Sequence, residues 1–224
     1  MTATPFVIAI DGPAGAGKST LARALAARLG CTYLDTGATY RALAWAARER
    51  GTTWGQGDVL AKLAATLDIR FGAMTPEGQR VAVGEVDVTE AIRDEAISDG
   101  ASQVSVHPLV REAMVALQQR IAARQSVVAE GRDTTTVVFP DATVKIYLDA
   151  TLEERAHRRA WELAQRGIDL DIEEIREALA IRDKRDREKP VGALTVADDA
   201  VMVETTELNV DEVLERVLAL LPPT

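Results

Sequence analysis

From Gly12 the chain reads Gly-Pro-Ala-Gly-Ala-Gly-Lys-Ser-Thr, ending at Thr20. Gly12 to Ser19 fit G-x-x-x-x-G-K-[ST], with an apolar run before them and a helical pattern after. Each residue type suits one chemistry. Glycines let the backbone fold into a nest whose N–H groups converge on phosphate oxygens. A helix starting near Lys18 adds its positive end. Lys18 reaches the β- and γ-phosphates, and the Ser19 hydroxyl suits a phosphate-bridging Mg²⁺. Gly12, Pro13, Ala14, Gly15, Ala16, Gly17, Lys18, Ser19 and Thr20 are therefore the candidate site for ATP or a similar triphosphate. The plain alternative is a glycine-rich turn without a ligand. Agreement of the motif with both flanks argues against it.

A phosphate loop does not say which reaction follows. A guanine-reading Asn/Thr-Lys-x-Asp segment is absent, and the single Asn, Asn209, has no such neighbours. Val127-Val128-Ala129-Glu130 superficially offers the acid that closes a strand in motor ATPases. Gly131-Arg132-Asp133 follows at once, though, and an arginine at the carboxyl end of a parallel strand faces the ligand crevice. Arg132 reads better as an anion clamp for a second substrate.

Three more segments fit a second phosphate-bearing ligand. Asp35-Thr36-Gly37-Ala38-Thr39-Tyr40-Arg41 brings together a hydroxyl, a glycine and an arginine. The competing reading is a helix capped by Thr36 or Thr39, with Arg41 in solvent. Ala101-Ser102-Gln103, with Arg111 further on, competes with a loop and an exposed helical face. Arg182 to Glu188 and Lys189 hold five basic and three acidic residues in eight. Salt bridges along a helix explain most of them, yet Arg182 and Asp186, four apart, share a face. An arginine and an aspartate so placed can hold a phosphate and a ribose hydroxyl.

The elements that position these residues are legible as well. Phe6–Ile10 reads as a strand buried on both faces. Ser19–Leu29 is a helix stopped by Gly30, Thr32–Leu34 a second strand, and Tyr40–Arg50 a helix. Strands at 126–129, 143–148 and 200–203 alternate with helices at 107–124, 152–166, 172–187 and 210–221. That alternation predicts an α/β fold with a parallel sheet. Residues 68–88 alternate with period two and read as a small antiparallel excursion. Residues 152–190 carry 10 basic and 11 acidic residues and read as a solvated helical hairpin.

Composition sets the outer limits. The 224 residues are enough for one good core, with small appended subdomains. The formal charge of −9 argues against a broad basic face for nucleic acid. A lone Cys31 forms no intrachain disulfide and suits a reducing compartment. The run at Phe6–Ile10 is too short for a signal peptide or membrane span. A cytoplasmic protein that engages no membrane is expected.

Taken in order along the chain, these segments resemble the bacterial cytidylate kinase family, whose members transfer the γ-phosphoryl of ATP to CMP or dCMP. The resemblance covers the phosphate loop, Leu34–Arg41, Ala101–Val104, Val110-Arg111, Gly131–Asp133, Val137–Ala142, Glu154–Arg159 and Arg182–Arg187. The phosphate loop is generic; Asp-Thr-Gly-Ala-x-Tyr-Arg and Gly-Arg-Asp in this order are specific.

The resemblance implies a three-layer fold of phosphate-loop NTPase type with a central parallel sheet. A core would span residues 1–67, 101–151 and 191–224, a nucleoside-monophosphate-binding insert 68–100, and a helical lid 152–190. It implies that Ser102, Arg111 and Asp133 read the cytosine edge. Thr36, Arg41, Arg132 and Arg182 would hold the CMP phosphate, with Tyr40 in the same substrate site, and Asp186 the ribose. Arg155, Arg158 and Arg159 would lie near the ATP phosphates. Lys18, Arg132 and Arg182 would carry catalysis with Mg²⁺ at Ser19 and Asp35, in a monomer whose partners are ATP, CMP and dCMP. Cytosine presents an amine beside acceptor atoms, which suits a carboxylate or hydroxyl with an arginine.

The chain departs from the family at two places. Thr134-Thr135 stand where an apolar residue and Gly are usual, which limits backbone freedom and adds two hydroxyls. Lys189 stands where another arginine is frequent, keeping the charge without the bidentate fork. Two other readings stay open: a kinase of UMP, AMP or a shikimate-like acceptor, and a nucleotide-binding switch without transfer activity.

Overall fold

The computed structural model describes residues 5–75, 78–123 and 125–221. In chain order the elements are β1 (Val7–Asp11), α1 (Lys18–Leu29), β2 (Thr32–Asp35), α2 (Thr36–Glu49), α3 (Gly57–Thr66), β3 (Ile69–Thr75), β4 (Gly78–Val83), β5 (Val86–Asp87), α4 (Glu95–Val104), α5 (Pro108–Ala122), β6 (Val127–Glu130), β7 (Val144–Asp149), α6 (Leu152–Gln165), α7 (Ile172–Arg187), β8 (Val201–Glu204) and α8 (Val210–Leu218). Two compact units divide the chain. The first takes the residues up to Leu34 and from Ile121 onward, the second Asp35–Arg120.

The first unit holds a five-stranded sheet in the order β2-β6-β1-β7-β8. β1 pairs in parallel with β6 and β7, and β7 in parallel with β8. The apolar run of β1 is buried on both faces, as its composition predicts for a central parallel strand. Ile8, Ile10, Val128, Ile146 and Leu148 pack with Leu21 and Leu25 of α1 and Val213 and Val217 of α8. The α6–α7 hairpin has a smaller core of its own, Ala156, Leu163, Ile175 and Leu179, which reaches Ala14 of the phosphate loop.

The second unit contains α2, α3, α4 and the antiparallel sheet β3-β4-β5. The period-two pattern of residues 68–88 is thus a sheet, with Pro76 and Glu77 outside the described residues. Its core joins Leu43, Leu60, Ile97, Val110 and Met114.

Several boundaries differ from the sequence reading. α2 starts at Thr36 rather than Tyr40 because Asp35 is its N-cap, with Oδ1 accepting from the Ala38 N–H at 2.9 Å. Neither Thr36 nor Thr39 is the cap. α5 ends at Ala122 and α8 at Leu218; Arg124, in the helix expected at 107–124, lies outside the described residues. α3 and α4 are elements that the apolar pattern alone does not announce. Gly100 disguises α4. A Cβ there would come within 2.5 Å of the Trp54 ring, so the helix accepts a weak former in order to admit the indole. No helix among the described residues is long and apolar enough to cross a membrane.

Candidate active site

The first unit builds the phosphate site. After β1 the chain turns through Gly12, Gly15 and Gly17, all with positive φ. A Cβ on Gly12 would stand 2.1 Å from the Leu148 carbonyl oxygen, so only glycine fits where the loop leaves the sheet. Gly17 is the N-cap of α1 and no side chain caps that helix, which keeps its first N–H groups for an anion. Lys18 is buried and donates through Nζ to the Pro13 carbonyl at 2.6 Å. Burial, then the charges of Arg132 and Arg182, pull its pKa down to about 7, against the pull of Glu130 and Asp11. Lys18 therefore feels both arginines, with Glu130 and Asp11 offsetting part of their charge.

Ser19 donates its hydroxyl to Glu130 Oε1, and the Tyr33 hydroxyl donates to the same oxygen at 2.9 Å. β6 lies beside β1 with Glu130 opposite Ile10, so the strand register delivers this carboxylate to the loop serine. The sequence reading passed over Glu130 in favour of the Arg132 that follows. The acid at the end of an apolar strand was the signal. Asp35, the other residue expected at a metal, spends one oxygen on the cap of α2 and pairs the other with Arg41 at 2.6 Å.

The Gly-Arg-Asp turn after β6 is tied down on both sides. Arg132 Nε donates to Asp186 Oδ2 at 2.8 Å, and Lys189 Nζ to Asp186 Oδ1 at 2.8 Å. Asp186 is buried and carries both cations. Burial would raise its pKa, but Arg132 and Lys189 hold it well below the usual carboxylate range. Lys189, the lysine standing in for an arginine, thus serves Asp186 here. Asp133 is buried one position on.

Thr134 and Thr135 form the start of a single π turn over Thr134–Val138. Their N–H groups donate to Asp11 at 2.8 and 2.7 Å, and the Thr135 hydroxyl adds a third bond at 2.6 Å. Among the described residues no residue other than glycine has positive φ, so this turn does not need the glycine usual in the family.

Of the arginines on α6, Arg158 donates to Glu154 and to the hydroxyl and carbonyl of Thr205. A Cβ on Gly17 would come 3.8 Å from its Nη1, which places Arg158 at the edge of the phosphate loop. Arg159 pairs with Glu162. Arg155 is bonded to backbone and to Asp183.

The second unit gathers Thr36, Tyr40, Arg41, Ser102 and Arg111. The first turn of α2 is fixed from within: the Thr39 hydroxyl donates to the Thr36 carbonyl at 2.6 Å and accepts from Gln118 at 2.8 Å. Arg111 is buried, not on an exposed face, with its guanidinium 5.7 Å from the Tyr40 ring centroid. It donates to the Ser105 carbonyl at 3.3 Å. Ser102 lies in α4 rather than in a loop, and its buried hydroxyl has no hydrogen-bond partner among the described residues.

A parallel sheet, a nest of glycines at the end of β1, a buried lysine and the arginines acting on it define a phosphate-loop kinase fold. The family described as Cytidylate kinase matches residues 8–222, and the chain belongs to it. It is 48% identical over 215 residues to a cytidylate kinase of Exiguobacterium sibiricum, covering 95% of both chains. It is 45% identical over 218 residues to that of Serratia proteamaculans, covering 97% of this chain and 95% of the relative. A solved structure of an uncharacterized protein from Eubacterium ventriosum shares the fold, with a TM-score of 0.52 at 12% identity over 96% of both chains.

Proposed function

We propose that this kinase transfers the γ-phosphoryl of ATP to CMP or dCMP, giving CDP or dCDP. The observation that carries the reading is the phosphate nest, Gly12, Gly15 and Gly17 at positive φ ahead of the uncapped start of α1 and buried Lys18, in a chain of the cytidylate kinase family. The charges of Arg132 and Arg182 act on Lys18 as well, which suits an anion carrying several charges. Phosphoryl transfer is mainly positioning and electrostatics, so no strong general base is needed. A CMP phosphate oxygen attacks in line; Lys18, Arg132 and Arg182 neutralise the charge that spreads over the moving group.

In the same reading the phosphate-loop residues Gly12 to Thr20 and Arg158 take ATP. Thr36, Arg41, Arg132 and Arg182 take the acceptor phosphate, with Tyr40 in the substrate site. Ser102, Arg111 and Asp133 read the base, and Asp186 the ribose. For Asp186 that means exchanging part of its pairing with Arg132 and Lys189. The oxygens of Ser19 and Glu130 are hard donors that fit Mg²⁺, which would supply charge neutralisation at the bridging phosphates. Glu130 suits that role better than Asp35, whose oxygens are engaged within the second unit. Residues 68–100 would serve as the monophosphate-binding insert and 152–190 as the lid of a cytoplasmic monomer that engages neither membrane nor nucleic acid.

An acceptor panel with ATP and Mg²⁺ tests the assignment. CMP and dCMP should give the highest kcat/KM among CMP, dCMP, UMP, AMP and shikimate. A higher value for another acceptor would overturn it, and negligible ADP formation with all of them despite tight ATP binding would leave a switch.

A further inference from the structure

One arginine joins the phosphate loop to the α6–α7 hairpin. Arg155 lies in the first turn of α6 and is 4% exposed. Its Nε donates to the Ala150 carbonyl at 3.1 Å, Nη1 to the Ala14 carbonyl at 3.0 Å and Nη2 to Asp183 Oδ2 at 2.7 Å. Ala14 belongs to the phosphate loop, Ala150 directly follows β7 and Asp183 belongs to α7. The approach is close along the backbone too. A Cβ on Gly15 would lie 3.0 Å from the Arg155 Cβ, and Gly15 already requires glycine at φ +80°.

Stability is a poor reason for such a pair. Burying two charges costs several kcal/mol, and an apolar pair of similar volume is often as stable or more so. Asp183 is also only half satisfied, because its buried Oδ1 has no hydrogen-bond partner among the described residues. An unpaired carboxylate oxygen in the interior is a further cost.

The pair does fix the height and rotation of α7. Asp183 and Asp186 lie three apart and share a face. One is held by Arg155, which also bonds the phosphate loop, the other by Arg132 on the turn after β6. Arg182 immediately precedes the first anchor, so its backbone position is set by Arg155. Electrostatics agree: Arg182 acts on Lys18, and Asp183 acts on Arg132.

We propose that Arg155 and Asp183 are positioning residues for phosphoryl transfer, registering α7 against the phosphate loop so that Arg182 stands at the reacting phosphates. This rests on the clamp role given to Arg182 above.

The test is Asp183→Asn, made alone and in an Arg182→Ala background. Alone it should lower kcat by about tenfold, within the range that small misplacements cost, with the KM for ATP changed by less than about twofold. In the Arg182→Ala background the further loss should be under about twofold, because residues that act through one another are not additive. Equal losses in both backgrounds, or no loss in either, would overturn the proposal. If Arg182→Ala alone keeps full kcat, the clamp role fails and the positioning role falls with it, a result distinct from additivity. Arg155→Met with Asp183→Leu guards against misfolding. That apolar pair should keep or raise Tm while losing the same tenfold in kcat, also only when Arg182 is present. A stable, fully active double variant would sink the idea.

Discussion

The two units differ in how the groups assigned to ligands are engaged. Around the phosphate loop these polar side chains are engaged with partners of their own unit: Lys18 on a carbonyl, Ser19 on Glu130, Arg132 on Asp186, Arg155 on three acceptors. In the second unit Arg111 stands over Tyr40, and the Ser102 hydroxyl is buried with no hydrogen-bond partner among the described residues. The difference follows from the ligands. A phosphate is nearly symmetric and is held by converging N–H groups and positive charge, which a preorganised scaffold can supply in advance. A base has a directional edge and is read by single donors and acceptors.

Removing a fixed charge from the first unit should therefore have the largest effect. Arg132→Ala leaves Asp186 with Lys189 alone and takes one of three cations from the phosphate site. The expected loss in kcat is about a hundredfold, the scale of deleting one preorganised transition-state donor. A loss under tenfold with unchanged CMP binding would show that Arg132 is not a clamp.

The second unit should respond in a different parameter. Arg111→Met keeps the bulk over Tyr40 and removes the donors. The kcat/KM for CMP should fall by about ten- to a hundredfold while the KM for ATP stays within about twofold, since one missing directional partner affects only the ligand it reads. Equal damage to ATP and CMP kinetics would erase the contrast between the units.

That contrast also decides what the sequence could reveal. Backbone nests need particular residues in an unbroken row, so Gly12 to Ser19 announce a phosphate site and β1 and α1 with it. The side chains proposed to read a base come from separate elements. Ser102 and Arg111 read equally well as a ligand-holding segment or as a loop and an exposed face, and only the family resemblance assigns them to a base. Glu130 was visible as an acid ending a strand, but its meaning depends on strand order, which brings β6 next to β1 across more than a hundred residues. Arg155 and Asp183 are hidden for the same reason. Each sits in a charge-rich helix where solvent exposure is the ordinary expectation, and only the fold puts them inside.

Lys18 offers a smaller but sharper measurement. Its free pKa of about 7 lies well below that of an ordinary lysine, chiefly through burial. The anionic triphosphate favours the ammonium form, so binding raises the pKa and a proton is taken up. At pH 8 the free side chain is mostly neutral, and ATP binding should take up as much as about 0.9 proton; at pH 6 the ammonium is already present and Lys18 takes up almost none. Calorimetry in two buffers of different ionisation heat measures the uptake. Lys18→Met should abolish it at pH 8. Equal uptake in the variant would place the titrating group elsewhere.

The smallest effect belongs to the departure at Thr135. Its hydroxyl makes one of three bonds to the buried Asp11, and the other two come from backbone N–H groups that any residue supplies. Thr135→Val keeps the shape and the backbone bonds and deletes one donor to a charged acceptor. Stability should fall by about 1–3 kcal/mol, the usual cost of such a bond, read as a lower midpoint in urea at constant slope. Kinetics should hold within about threefold for ATP and CMP alike, because the hydroxyl is engaged by Asp11. A tenfold rise in the KM for CMP with no change in stability would instead place that hydroxyl in the base pocket.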